Sequence, residues 1–151
     1  MPIVGVACMA FTGAAIISDL IQIIYSSRPF GYDDAMLNGV LMDARRCNMR
    51  DGVSGALICR QDVYLQLLEG PAQAVEATCD RIRRDDRHLE MAIRVNQQVA
   101  ARMFGDWAMF HDPAKSWLWS AQDISDGALE RASGAHFKQV FERLAADAKT
   151  G

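Results

Sequence analysis

Three apolar, strand-like runs of this chain have polar or aromatic residues set into them: Tyr25 in LIQIIYSS, Gln66 in VYLQLLEG, and Trp107 with Met109 in MFGDWAMF. A buried phenol or amide without a partner costs roughly 1–3 kcal/mol, so a ligand or a polar network has to meet these groups. Asn48 adds a second amide, at the end of an apolar helical stripe and just ahead of the turn RDGVSG. An amide carries donors at one end and an acceptor at the other, so turning it rewires its hydrogen bonds without moving the backbone.

The elements that position these groups follow from the patterning. Leu20 to Ser26 is a short β-branched run, as expected for a central strand buried on both faces. SRPFGY breaks it, and Asp33 or Asp34 can cap a helix whose stripe Leu37, Leu41, Ala44 continues onto Asn48. Val53 to Cys59 and Val63 to Glu69 read as a hairpin about the turn RQD, with Tyr64, Gln66 and Leu68 on one face of the second strand. Gly70 and Pro71 end that strand and open a helix with the stripe Val75, Cys79, Ile82. After the polar loop DDRH, strands are expected over Met91 to Val99 and Phe104 to Phe110, the last with Gly105, Trp107 and Met109 on one face. Beyond Pro113 comes a helix-rich tail broken at Ser133-Gly134, whose stripe Phe137, Val140, Phe141, Leu144 suits either the free sheet face or a dimer seam. The order predicts an α+β fold: a ferredoxin-like βαββαββ sheet with two helices on one face, because each crossover is right-handed, plus a C-terminal helical cap.

At 151 residues, 50% hydrophobic and 23% charged, the chain is long enough for one domain with a real core and too apolar to be disordered. A net charge of −3, and a basic cluster RIRRDDR largely cancelled by its own aspartates, argue against nucleic acid as a direct partner. Cys8, Cys47, Cys59 and Cys79 form no CxxC pair and no zinc-like spacing, so they read as reduced thiols of a cytoplasmic protein without a metal. The first eighteen residues carry no charged side chain, yet they lack the basic start of a secretory signal and the clean length of a spanning helix. They are taken as an N-terminal extension, 1–18, that packs on the domain or on a partner chain, or as the product of a start codon placed too early.

Taken together, Tyr25, Asn48, Gln66, Trp107 and Met109 in these elements and this order resemble the BLUF family of blue-light sensors that use flavin. The resemblance spans about residues 20 to 112 and implies a noncovalently bound flavin, FAD first, with FMN or riboflavin as the other candidates. It assigns Tyr25 as electron and proton donor to the photoexcited ring and Gln66 as the amide switch between tyrosine and flavin. It further places Asn48 at the polar edge of the ring, Arg87 and His88 at its far edge, Arg81 and Asp85 as contacts from the second helix, and Ser27 as the small residue near the tyrosine. Trp107 and Met109 match the pair whose exchange near the flavin passes the signal outward, and which of the two lies inside is left open. Cys47 departs from the Asn or His common in relatives. Singly, a strand tyrosine, a buried methionine or a helix-end asparagine is ordinarily structural; their joint occurrence is what favours the sensor.

The resemblance divides the chain into a flavin-binding domain, 19–112, and a helical extension, 113–151. It implies a photoreceptor, not an enzyme, that signals to a partner protein. The outer sheet face and the stripe Phe137, Val140, Phe141, Leu144 need cover, which predicts a homo-oligomer, and no membrane contact is expected. Two rivals share the fold: a small acylphosphatase-like hydrolase, using SSRPFG and Arg28 to cradle phosphate, and a colourless ligand-binding regulatory module.

Overall fold

Why the polar strand residues end up side by side is a matter of register. The structure, a computed structural model, describes residues 19–31, 33–115 and 117–150, with backbone alone at 149 and 150; the N-terminal extension, Cys8 included, lies outside the described residues. Strand β1 (Leu20–Pro29) is central, and helix α1 (Asp34–Asp51) carries the chain across to β2 (Ser54–Arg60). A tight turn leads into β3 (Val63–Pro71), which inserts antiparallel between β1 and β2 and sets Tyr25 directly opposite Gln66. Helix α2 (Ala72–Arg83) then crosses to β4 (His88–Gln98) on the other side of β1, giving the order β4-β1-β3-β2-β5. The first four strands make the expected ferredoxin-like sheet.

Local chemistry fixes the helix ends. Asp33 caps α1, its carboxylate accepting from the Met36 N–H at 2.7 Å. Gly52 closes it in the left-handed region, φ 71°, and its N–H returns to the Asn48 carbonyl. Asn48 is therefore an interior helical residue, buried to 1% exposure, and glycine takes the terminal role. Gly55 serves a different constraint: a Cβ there would lie 2.0 Å from the Leu67 carbonyl oxygen, so no other residue lets β2 approach β3 so closely.

The last strand differs from the sequence expectation. Phe104 to Ala108 form no strand; β5 is only Phe110–Pro113, parallel to β2 with Ala56 opposite Phe110. Because β4 and β5 occupy opposite edges, the intervening chain must round the end of the sheet, and it turns at Gly105-Asp106 with the Trp107 N–H on the Phe104 carbonyl at 3.0 Å. Gly105, Trp107 and Met109 do not share a face: Trp107 is 44% exposed and Met109 2%.

Both faces of the sheet are covered within the chain. Ile23, Tyr25, Leu57, Leu68 and Met109 pack under α1 and α2. Ile24, Ile58, Leu65, Leu67 and Phe104 pack under the tail, which forms α3 (Ala121–Ser125), α4 (Ala128–Arg131) and α5 (Gly134–Thr150). Phe137, Val140, Phe141 and Leu144 are all buried there, so the stripe caps the sheet and is not a dimer seam, and the physical reason for expecting an oligomer from it falls away. Truncating one such side chain leaves a cavity in the outer core. Phe141→Ala is expected to cost about 3–5 kcal/mol in urea unfolding; a loss below about 1 kcal/mol would mean that the tail does not bear on the sheet in solution.

Candidate functional site

The inner face opens between α1 and α2 into a cavity of about 320 Å³. Val40, Leu68 and Ile82 give it apolar walls, and Asn48, Gln66, Arg81, Asp85, Arg87 and His88 bring polar groups to it. Six of the residues singled out in the sequence thus meet at one place. Tyr25 and Met109 lie behind Gln66 and do not line the cavity, and Trp107 is outside it, its ring edge-on to Phe110 at 4.7 Å between centroids.

Gln66 is held from both ends. The Tyr25 hydroxyl donates to its Oε1, and its Nε2 donates to the Met109 Sδ at 3.3 Å. Burial drives the Tyr25 pKa well above its ordinary value, with Cys79, Asp85 and Tyr64 adding to the rise, so the phenol keeps its proton and remains a donor. Thioether sulfur is a weak acceptor, so one end of the amide is firmly bound and the other loosely.

Asn48 faces two ways. Its Nδ2 donates to the Ala108 carbonyl at 2.7 Å, whereas its buried Oδ1 has no hydrogen-bond partner among the described residues. An orphaned acceptor is costly, and this one sits on a residue lining the cavity, where a ring edge bearing an N–H would satisfy it. Flat apolar walls with a lone acceptor and a switchable amide suit the ring of a flavin, apolar in its faces and polar along one edge. Arg45, one turn earlier, donates through Nε and Nη2 to the Met109 carbonyl, both at 3.2 Å. Cys47 beside Asn48 also lines the cavity and is buried.

The rim is an ion-pair clasp between α1 and the loop that follows α2. The Arg87 guanidinium reaches Asp85 Oδ2 at 2.7 Å and Asp43 Oδ2, on α1, at 2.9 Å. Its hydrogen bonds hold both carboxyls below the usual carboxylate range. Arg81 stands more loosely, 3.9 Å from Asp51. Ser27 Oγ lies 2.9 Å from Nδ1 of His88, whose ring tilts against Tyr64 and meets Tyr25 edge-on. Asp43 and Arg45 escaped the sequence reading because charged residues on a helix ordinarily face solvent; the signal was their place one turn before Cys47 and Asn48. Cys47, Cys59 and Cys79 form no disulfide, no cluster of metal-ligating groups occurs among the described residues, and no helix among them is long and apolar enough to cross a membrane.

Comparison with known proteins agrees with this geometry. Residues 20–110 match the family described as "BLUF: Sensors of blue-light using FAD". This chain belongs to the BLUF family. Among curated relatives, the photoactivated adenylate cyclase subunit beta of Euglena gracilis is 32% identical over 99 residues, which are 65% of this chain but 11% of that protein. The chain thus spans about a ninth of the curated relative's length. The dark-state structure of BlrB, a BLUF protein, superposes with a TM-score of 0.71 at 26% identity, covering 87% of this chain and 98% of that one. BlrP1 of Klebsiella pneumoniae, solved with FMN and cyclic diGMP, gives 0.57 at 26% identity over 78% of this chain and 30% of that one. The BLUF fold, a flavin as cofactor and the sensor class are therefore established for this chain.

The His88 environment makes a testable statement. Burial pushes its pKa down from 6.5 to about 4, Asp85 opposing and Arg87 assisting. The folded state prefers neutral imidazole, so this stability is complete above the unfolded value and is lost as pH falls from 6.5 towards about 4. The free energy of urea unfolding should fall between about pH 7 and about pH 4.5 by up to about 3 kcal/mol more in the unmodified chain than in His88→Gln. Equal pH dependence in both would place His88 in water.

Proposed function

We propose that residues 19–112 form a blue-light receptor in which Tyr25 is the redox partner, Gln66 the switch and Met109 the group that reads the switch. The observation that carries this reading is the line Tyr25 hydroxyl to Gln66 Oε1, Gln66 Nε2 to Met109 Sδ, with Gln66 also on the cavity wall. A bound flavin would supply absorption of blue light and a site that accepts an electron. Tyr25, buried and protonated, gives up an electron and its phenolic proton and takes both back, so no net redox change remains. While the phenol is deprotonated, the Gln66 carbonyl loses its donor, and the amide is held only by a weak bond to sulfur. It can then turn or tautomerise, presenting a new donor towards the cavity and withdrawing the N–H from Met109.

Asn48 would hold the ring edge through Oδ1, and Arg81, Asp85, Arg87 and His88 would border the ring from the α2 side. FAD is the first candidate, then FMN or riboflavin. Residues 113–151 serve as a cap, and the chain acts as a non-enzymatic sensor that passes its state to a downstream signalling protein. We place it in the cytoplasm, in keeping with Cys47, Cys59 and Cys79, which form no bridge.

The hydrolase alternative is disfavoured by a particular contact. Arg28, the residue that would bind phosphate, is exposed and paired with Glu90 at 3.1 Å, so its guanidinium is already engaged by a carboxylate.

The purified protein is expected to be yellow and to show a small, reversible red shift of its visible absorption after blue light. Tyr25→Phe and Gln66→Leu should both retain flavin and fold yet lose the shift. A normal photocycle in either variant, or a colourless protein from flavin-replete cells, would overturn the assignment.

A further inference from the structure

Among the described residues Glu69 is the one acidic side chain with no exposure at all, and the switch described above makes no use of it. It lies on β3, three residues beyond Gln66 and on the opposite face of the sheet, so it cannot touch the cavity. Its four partners all donate. Oε1 accepts from the Met103 N–H at 2.8 Å and Gln22 Nε2 at 3.2 Å; Oε2 accepts from the Phe104 N–H at 2.5 Å and Ser54 Oγ at 3.4 Å. Burying a carboxylate is expensive, and filling space in an outer core does not need one. Two consecutive backbone N–H groups do need an acceptor, and a carboxylate that takes both fixes the position and the orientation of the chain at that point.

That point is one end of a strap. Residues 103–109 run from the outer core, where Phe104 meets Phe141 of α5 edge-on at 6.4 Å, around the start of β2 to the inner core, where Met109 meets Gln66. Between the ends the strap is tied by the Gly55 N–H to the Trp107 carbonyl at 3.1 Å and by Asn48 to the Ala108 carbonyl. One strand therefore grips both ends of the strap, by Gln66 on one face and by Glu69 on the other. The Gln66 grip is the weak bond to sulfur that the switch breaks, and the Glu69 grip stays.

We propose that Glu69 is a positioning residue of the switch: it pins the outer end of the strap, so that displacement of Met109 at the inner end bears on Phe104 and, through it, on Phe141 of α5. This route leaves the site through the β4–β5 crossing and reaches α5 directly, without passing along β5 and the residues after Pro113. It rests on the reading of Gln66 as the switch, and the two are separable. Without the carboxylate the strap end slides, and motion of Met109 is absorbed before it reaches α5.

The test is hydrogen exchange of the flavin-loaded full chain, dark and illuminated, together with its absorption shift. In the unmodified protein, illumination should change the exchange of amides between Phe137 and Ala145. In Glu69→Gln, which sets an amide N–H against a backbone N–H, the red shift should persist while that light-dependent change shrinks at least roughly threefold. A merely structural role would alter exchange equally in dark and light and leave the difference intact, and that result would overturn the inference. Phe104→Leu keeps the carboxylate but loses the aromatic contact with Phe141; it should act in the same way, and it decides the matter alone if Glu69→Gln does not fold. A red shift in the unmodified chain with no change in α5 overturns this inference and spares the switch, whereas absence of any red shift overturns both.

Discussion

A primary amide held between a phenol and a thioether is the constraint around which the inner half of this protein is organised. The β1–β3 register puts Tyr25 opposite Gln66, and the turn after Phe104 brings Met109 back to the other end of the amide. Neither neighbour satisfies the amide fully. An O–H to carbonyl bond is worth about 1 kcal/mol net, and more where water is excluded, whereas N–H to sulfur is weaker. An amide gripped so unevenly depends on the phenol for its orientation and is freed when that donor is lost, which a switch requires, and it lies in a core where little else can move.

Helix α1 joins the cavity to the strap. Asn48 and Arg45 hold the carbonyls of Ala108 and Met109, and the same Asn48 offers its free acceptor to the cavity. Occupation of the cavity and placement of Met109 are therefore linked through one side chain, so that a ligand pulling on Oδ1 also tightens the strap. The clasp from Arg87 to Asp43 closes α1 against the α2 side and fixes the cavity width. Its half-exposed ion pairs contribute little to overall stability; their effect is on geometry.

How far the amino-acid pattern reveals this can be judged residue by residue. Alternation in VYLQLLEG put Gln66 and Tyr64 on the helix-facing side, and the α1 stripe delivered Asn48 to the sheet, because side-chain period follows from backbone geometry alone. The ferredoxin-like order was legible for the same reason. The course of 104–109 was not: MFGDWAMF has the composition of a strand, but whether it pairs depends on which edge is open, and that is a property of the whole sheet. Likewise the stripe of α5 showed an apolar face without showing what it covers. Glu69 was overlooked because a carboxylate at a strand end beside a glycine reads as solvated; only the chain folding back over it supplies the donors that bury it.

Infrared difference spectroscopy between illuminated and dark protein, with glutamine side-chain amides isotopically labelled, tests the central claim most directly. Movement or tautomerisation of Gln66 predicts bands that shift with the label and vanish in Gln66→Leu. A light-minus-dark spectrum with a normal visible red shift but no label-sensitive amide bands would contradict the account, because the switch would then lie elsewhere than in Gln66.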